Sequence, residues 1–415
     1  MRRRAPLLLL LAIVVTGGAL RAERAADPRA GLHADEVTYV RSAIELADRR
    51  TYSQTHYPPG APALFALAYA LGGKRGRDIP AAYWAQALVG TALIVATFAL
   101  AALIATPWAG VAAAASVGFS RVFIFRTDRL LSEPLAALLL VSAFAALAWA
   151  LRARQPPARR LAVAGALFGA LLLTRAGFLV APGVVAAALG LVVARRHGLR
   201  SALRAVAAFA APVVLVVAPW CLYASHWEGR FVPVATGGGS SLFVGTYLPG
   251  GGSTYGAKRA LAPGTPPYRL RAKVVLDRVA ARHPGLGRDA ALSLEARRNI
   301  ARYGTHEPAA FARLLLSKPP RLWWRYSEGL KRPNPAAAVA LHRALLVVSV
   351  LLLGAGLVAT RDPVLLAVAL LLAAVTAQHT LLLALPRYAV PLLPVLYAGG
   401  AAAATLLLER QRSER

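Results

Sequence analysis

The sequence predicts an all-α polytopic membrane protein of about ten transmembrane helices. Three observations predict it. Of 415 residues, 57% are hydrophobic and only 16% charged, with a mean hydropathy of +0.53. Apolar runs recur that are long enough to cross a bilayer, which takes about 20 helical residues. The basic residues lie mostly in the segments between those runs. The formal charge of +30, from 48 Lys+Arg against 18 Asp+Glu, is therefore spread along the chain. That distribution excludes a nucleic-acid-binding domain and suits topology setting and contact with anionic headgroups. A single cysteine, Cys221, excludes an internal disulfide and a cysteine-based metal cluster.

The elements follow in order. The start, MRRRAPLLLLLAIVVTGGALRAERA, has the basic and apolar parts of a signal peptide but no clean A-x-A site, so it reads as a retained anchor spanning 6–20. Further spans are predicted at 81–106, 108–125, 130–151, 161–173, 178–194 and 203–223, and after a long hydrophilic stretch at 336–359, 364–385 and 390–408. With the N-terminus inside, the inner segments carry Arg2, Arg3 and Arg4, then Arg152, Arg154, Arg159 and Arg160, then Arg195, Arg196, Arg200 and Arg204, then Arg361 and the tail Arg410, Arg412 and Arg415, in keeping with the bias of Lys and Arg toward cytoplasmic loops. Three regions result: an N-terminal membrane module (1–223), an external region (224–335) and a C-terminal three-span region (336–415). No internal repeat of the kind many transporters carry is evident.

Two outer regions stand out. The first loop, 21–80, holds the adjacent acids Asp35 and Glu36. Behind them Val37, Val40, Ile44 and Ala47 recur at helical spacing, predicting an amphipathic surface helix. Asp35 and Glu36 fit an N-terminal cap of that helix or a reaction site. The next segment, THYPPGAPALFALAYALGG, joins a stiff Pro58–Pro59 turn to an apolar helix of roughly 11 residues, too short to span. In the second outer region the glycine-rich ATGGGSSLFVGTYLPGGGSTYG is predicted to be a loop, and basic helices follow. Its Gly237–Gly239 run lacks the GxxxxGK[ST] pattern of a nucleotide loop. Trp323 and Trp324 suit interface anchors or a sugar platform.

Five features in this order, namely ADE, HYPPGAP, RTDRLLSEPLAALLL, WEGRFVPVATGGGSSLFVGT and PRYAVPLLPVL, resemble the membrane glycosyltransferases of the C-type fold. That group contains the protein O-mannosyltransferases and the lipid A aminoarabinose transferase. The resemblance implies a glycosyltransferase using a polyprenyl-phosphate sugar donor. Its acceptor would be a cell-envelope glycan, a glycolipid or a protein at the outer face of a bacterial cytoplasmic membrane. It further implies Asp35 as catalytic base, in line with the need for a carboxylate within reach of the acceptor hydroxyl proton. A single displacement then inverts the anomeric centre and needs one base, unlike the carboxylate pair of a retaining glycosidase. Glu36 would support it by steering a sugar hydroxyl or binding a cation, its alternative being plain surface charge.

The second acid is Glu133 or Asp128. Glu133, at the outer end of the fourth span, is preferred because intramembrane acids usually face polar cavities and relatives carry an acid there. Asp128 also suits a loop pairing with Arg126 or Arg129. The donor phosphate calls for cations: Arg175, Arg387 and His379 at predicted outer ends of spans, with His56 and Lys74. Arginine grips phosphate bidentately and stays charged, although interfacial snorkelling also explains Arg175 and Arg387, and a helix-end histidine explains His379. Several relatives have Lys before the paired prolines, where this chain has His56 and Tyr57. Tyr57 suits stacking on a sugar or packing at the interface. No cofactor is assigned, and a divalent cation stays open, since one His near an acid pair is not a metal site. The rival class is a non-catalytic transporter or flippase of lipid-linked glycans, which would need acids deep within spans.

Overall fold

The computed structural model describes residues 4–28, 31–32, 35–72, 79–326 and 335–414. Lys74 lies outside the described residues, as do Ala34 of ADE, Arg2, Arg3 and Arg415. Among the described residues the chain is helical and without strands. It divides into two compact units: unit 1 comprises Met1–Val234, Tyr326–Leu372 and Val390–Arg415, and unit 2 comprises Ala235–Arg325 and Ala373–Ala389.

Unit 1 begins with α1 (Ala5–Ala26), α2 (Asp35–Arg49), α3 (Gly60–Leu71), α4 (Ile79–Ile104), α5 (Pro107–Gly118), the single turn α6 (Arg121–Ile124), α7 (Glu133–Leu151), α8 (Ala158–Thr174), α9 (Ala181–His197) and α10 (Leu199–Glu228). Helix α1 packs on α4 and α5, α7 bridges α4 and α8, and α10 lies along α8 and α9. Contacts this close need small residues: a Cβ on Gly165 of α8 would collide with the Phe209 carbonyl of α10. Arg21 shows how a cation is accommodated inside the bundle. It is fully buried and donates to the carbonyls of Gly17 (2.7 Å), Val117 (3.0 Å) and Gly118 (3.1 Å). It thus satisfies the last carbonyls of α5, which the helix itself leaves without partners.

Unit 2 contains α11 (Gly238–Thr246), α12 (Thr254–Leu261), α13 (Ala272–Ala280), α14 (Arg288–His306), α15 (Pro308–Leu316) and α16 (Lys318–Trp323). Its core joins Phe243 and Val244 of α11 to Leu276 and Val279 of α13 and Leu292 and Ala296 of α14. Part of the predicted glycine loop is therefore helix. Asp289 explains the start of α11, because its carboxylate accepts the Gly239 N–H at 2.8 Å, an acid at a helix N-terminus. Lys318 is buried and its Nζ donates to the carbonyls of Gly245 (2.6 Å), Thr380 (2.7 Å), Leu381 and Leu382 (both 3.2 Å). The chain ends with α17 (Ala336–Thr360), α18 (Pro363–Leu381) and α19 (Leu393–Ser413); α17 and α19 pack together in unit 1.

Eight helices among the described residues are long and apolar enough to cross a membrane, and the protein is a multi-pass membrane protein. Two of the ten predicted spans are shorter. The run 108–125 is split into α5, of 12 residues, and α6, with Arg21 holding the break. Helix α8 has 17 residues, a rise of about 26 Å.

Candidate functional site

Helix α2 keeps much of its predicted apolar face, with Val40 in a core cluster and Ile44 and Ala47 packed against it; Val37 is 40% exposed. Its buried residues also include Glu36, Tyr39 and Ala43. The Glu36 carboxylate accepts the Arg129 guanidinium N–H at 2.9 Å and the Leu130 backbone N–H at 3.0 Å, so the first turn of α2 is pinned to the loop 126–132. The cation that Glu36 binds is thus a side chain of the same protein. Gln86, fully buried in α4, holds the other side of the loop by donating to the carbonyls of Arg129 (2.8 Å) and Leu131 (2.9 Å).

This frame brings three predicted residues around Tyr39. The Tyr39 hydroxyl donates to Ser132 Oγ at 3.2 Å, and Arg175 Nη1 donates to the same oxygen at 3.2 Å. Arg175 also faces Glu133 at 3.4 Å. Burial pushes the Tyr39 phenol up to about 12; Ser132 and Arg175 pull it back, while Glu133 and Asp35 push it further. The phenol is therefore a neutral donor at ordinary pH. Asp35, on the first turn of the same helix, is partly exposed, in contrast to its neighbour Glu36 and to Glu133, whose side chain is 2% exposed.

The HYPPGAP segment sits beside this cluster. The Tyr57 ring lies 4.9 Å from that of Tyr39, and the exposed His56 meets Tyr57 edge-on at 4.6 Å. Tyr52 supports both. Its hydroxyl reaches the carbonyls of Tyr57 (2.9 Å) and Pro58 (3.2 Å), its ring packs edge-on against Trp220 of α10, and its own carbonyl accepts from the Tyr223 hydroxyl at 2.7 Å. Thr55 donates to Glu228 at the end of α10. Gly60 then lets α3 meet the end of α8 directly before Arg175. A Cβ there would stand 2.5 Å from Thr174 Oγ1 and 2.8 Å from the Leu173 carbonyl.

Other predicted residues lie differently. Asp128 is buried, at 1% exposure, beside the equally buried Thr127; it is an interior residue of the loop. Arg387 and His379 belong to unit 2. Arg387 lies in the 3-10 turn Pro386–Tyr388, against the Tyr388 ring. His379 Nδ1 donates to the Val375 carbonyl at 2.9 Å, a helix-end arrangement, and its ring lies 5.3 Å from that of Tyr388. Trp323 Nε1 donates to Thr376 at 3.0 Å, and Trp324 is 43% exposed. Among the described residues no group of three His, Cys, Asp or Glu side chains converges to hold a metal ion, and Glu133 already faces the Arg175 guanidinium. Sequence reasoning missed Tyr39, Gln86 and Ser132, and it considered Arg129 only as a partner of Asp128, not of Glu36. Gln86 did carry a signal, since a polar amide inside an apolar span needs partners.

No protein-family model matches the sequence, and no curated protein matches it. Solved structures do. The archaeal oligosaccharyltransferase AglB from Archaeoglobus fulgidus, in complex with an inhibitory peptide and a dolichol-phosphate, superposes with a TM-score of 0.60 at 16% identity, over 99% of this chain and 51% of that one. The apo form of the Archaeoglobus fulgidus oligosaccharyltransferase gives 0.55 at 16% identity, over 97% and 51%. ArnT from Cupriavidus metallidurans bound to undecaprenyl phosphate gives 0.43 at 16% identity, over 97% and 78%. The chain thus spans about half the length of the oligosaccharyltransferase, and the likeness to it is one of fold. On that likeness, the chain has the fold of the C-type membrane glycosyltransferases.

Proposed function

We propose that the protein is a glycosyltransferase that moves a sugar from a polyprenyl-phosphate donor to an acceptor hydroxyl, with inversion, at the outer face of a bacterial cytoplasmic membrane. The acceptor is a cell-envelope glycan, a glycolipid or a protein. The observation that carries this reading is the convergence around Tyr39. A partly exposed carboxylate, Asp35, shares one polar cluster with a guanidinium, Arg175, that is held by Glu133 and Ser132. The solved AglB complex contains a dolichol-phosphate, a lipid phosphate of the proposed donor's class.

In this reading the acceptor oxygen attacks the anomeric carbon while Asp35 takes its proton. The bond from that carbon to the phosphate oxygen breaks, and the polyprenyl phosphate departs with the electron pair. Arg175 meets the phosphate charge, since guanidinium stays protonated and matches phosphate oxygens. Glu133 and Ser132 orient Arg175, and Glu36 holds the α2 turn that presents Asp35. His56 remains a proposed contact to the donor phosphate, and Tyr57 and Asp128 to the sugar; Arg387 and His379, in unit 2, remain proposed anion contacts by their chemistry.

The test is glycosyl transfer in membranes containing wild type, Asp35→Asn or Glu133→Gln, with labelled polyprenyl-phosphate sugars supplied one at a time. Transfer by wild type that disappears in a folded Asp35→Asn protein supports the reading. Transfer that survives this substitution returns Asp35 to the role of a helix cap.

A further inference from the structure

In the loop between α2 and α3, Gln54 is a polar side chain that the proposed chemistry does not use. It is half-buried, and its amide grips the backbone of Tyr57 twice. The Tyr57 N–H donates to Oε1 at 2.9 Å, and Nε2 donates to the Tyr57 carbonyl at 3.2 Å. A backbone N–H only donates and a carbonyl only accepts, so both contacts demand the same orientation of the amide. Nε2 also donates to the Tyr52 hydroxyl at 2.5 Å. Burial pushes the Tyr52 phenol above its ordinary value. It therefore keeps its proton and donates onward to the carbonyls of Tyr57 and Pro58.

These bonds act on the two peptide planes that flank Tyr57, each of them rigid. One plane carries the Tyr57 N–H and joins Tyr57 to His56. The other carries the Tyr57 carbonyl and joins Tyr57 to Pro58. The following proline already confines Tyr57 to extended backbone, and Pro58 and Pro59 fix their own φ. The prolines do not restrain the 56–57 plane, which sets the direction of the His56 side chain. Gln54 does. The rings show the outcome: Tyr57 lies 4.9 Å from Tyr39, and His56 meets Tyr57 edge-on at 4.6 Å. Ser53, one residue before Gln54, bonds instead to Glu45 of α2 at 2.6 Å and ties down the start of the loop.

We propose that Gln54 is a positioning residue for donor binding: by fixing the 56–57 peptide plane, it presents His56 to the phosphate of a polyprenyl-phosphate carrier. That His56 meets this phosphate rests on the function proposed above. A loop already in shape loses less ordering entropy when its ligand arrives, so Gln54 acts on affinity and not on the chemical step. A role in turn stability alone would leave phosphate binding unchanged.

The purified full chain in nanodiscs of neutral lipid is titrated with radiolabelled undecaprenyl phosphate, without acceptor, so that binding is read apart from transfer. Gln54→Met keeps the length of the side chain and removes its bonds. It should weaken binding about 10-fold, near the lower worth of a hydrogen bond to a charged group. His56→Ala should weaken it by a similar factor, and the double variant by little more than either, because Gln54 acts through His56. Ser53→Ala, which loosens the same loop on the α2 side, should change binding by less than about 2-fold. Thermal unfolding is recorded for each protein. Gln54→Glu, which retains the acceptor for the Tyr57 N–H, stands in if Gln54→Met does not fold. Unchanged binding in a folded Gln54 variant would overturn the proposal. So would fully additive losses in the double variant, an equal loss in Ser53→Ala, or no binding by wild type. Normal binding in Gln54→Met beside transfer that depends on Asp35 would sink only the positioning role. Transfer that survives Asp35→Asn would sink the proposed base and leave the Gln54 result standing.

Discussion

Charge is handled in opposite ways in the two units. Around α2 in unit 1 it is turned inward: Glu36 is closed by Arg129 and the Leu130 N–H, and Glu133 faces Arg175. On α13 and α14 of unit 2 it is turned outward, with acids neutralised within the unit and arginines left exposed. The difference teaches what each kind of charge is for. A buried charge costs several kcal/mol unless partnered, so its partners fix geometry, and the Asp35 region is a place where geometry is fixed. An exposed charge fixes little but acts at a distance on whatever approaches. Lys318 is the exception in unit 2, and it obeys the buried rule, bound by four carbonyls.

The adjacent acids give the sharpest way to break this comparison. Asp35→Asn should reduce transfer by about 10²–10⁴-fold, the usual worth of a positioned base, with the melting temperature unchanged. A matching fall in melting temperature would mean that Asp35 is also a structural group. Glu36→Gln should behave in reverse, costing roughly 3–5 kcal/mol of stability because it removes the charge of the buried carboxylate that joins the first turn of α2 to Arg129 and the Leu130 N–H. Thermal unfolding in detergent reads this, and an unchanged transition would break the inward-charge argument. Gly60→Ala comes next. Overpacking of α3 on the end of α8 should cost about 1–3 kcal/mol and lower transfer through displacement of Arg175; a neutral result would mean that the two helices can separate freely.

The smallest expected effect is in unit 2. Burial alone would push the Glu295 carboxyl up, but His283 and Arg298 leave it below its ordinary value of 4.5. The unfolded chain therefore takes up the proton first. The stabilisation is complete above about pH 4.5 and is lost as pH falls through the lower folded value. Hydrogen exchange of α13 and α14 should quicken on acidification below that point, and less so in Glu295→Gln. The same acid response in both proteins would place the loss elsewhere.

Much of the fold was legible in the chain, because apolar runs must become helices where lipid offers no hydrogen bonds. The short helix after Pro58–Pro59 is α3, and the acid pair does open a helix. The sequence also pointed to Asp35, Glu133 and Arg175, which the structure brings into one cluster. Periodicity found the apolar stripe of α2, of which Val40, Ile44 and Ala47 pack on a core cluster, but it gave no sign that Glu36 is buried beside that stripe by an ionic bond. The glycine run was read as a loop because its helix start depends on Asp289, a carboxylate 50 residues away.

Composition by itself determined that this chain lies in a membrane as helices and that acids are few enough for each to matter. Local residue types determined where those helices begin and break. Only the tertiary structure decided which of two neighbouring acids is buried and which faces outward. The reason is that the choice rests on Arg129 and Leu130, 93 and 94 residues along the chain from Glu36. A bond between such distant groups leaves no periodicity to read, yet its strength in a low-dielectric interior pins the first turn of a helix and so the direction in which Asp35 points.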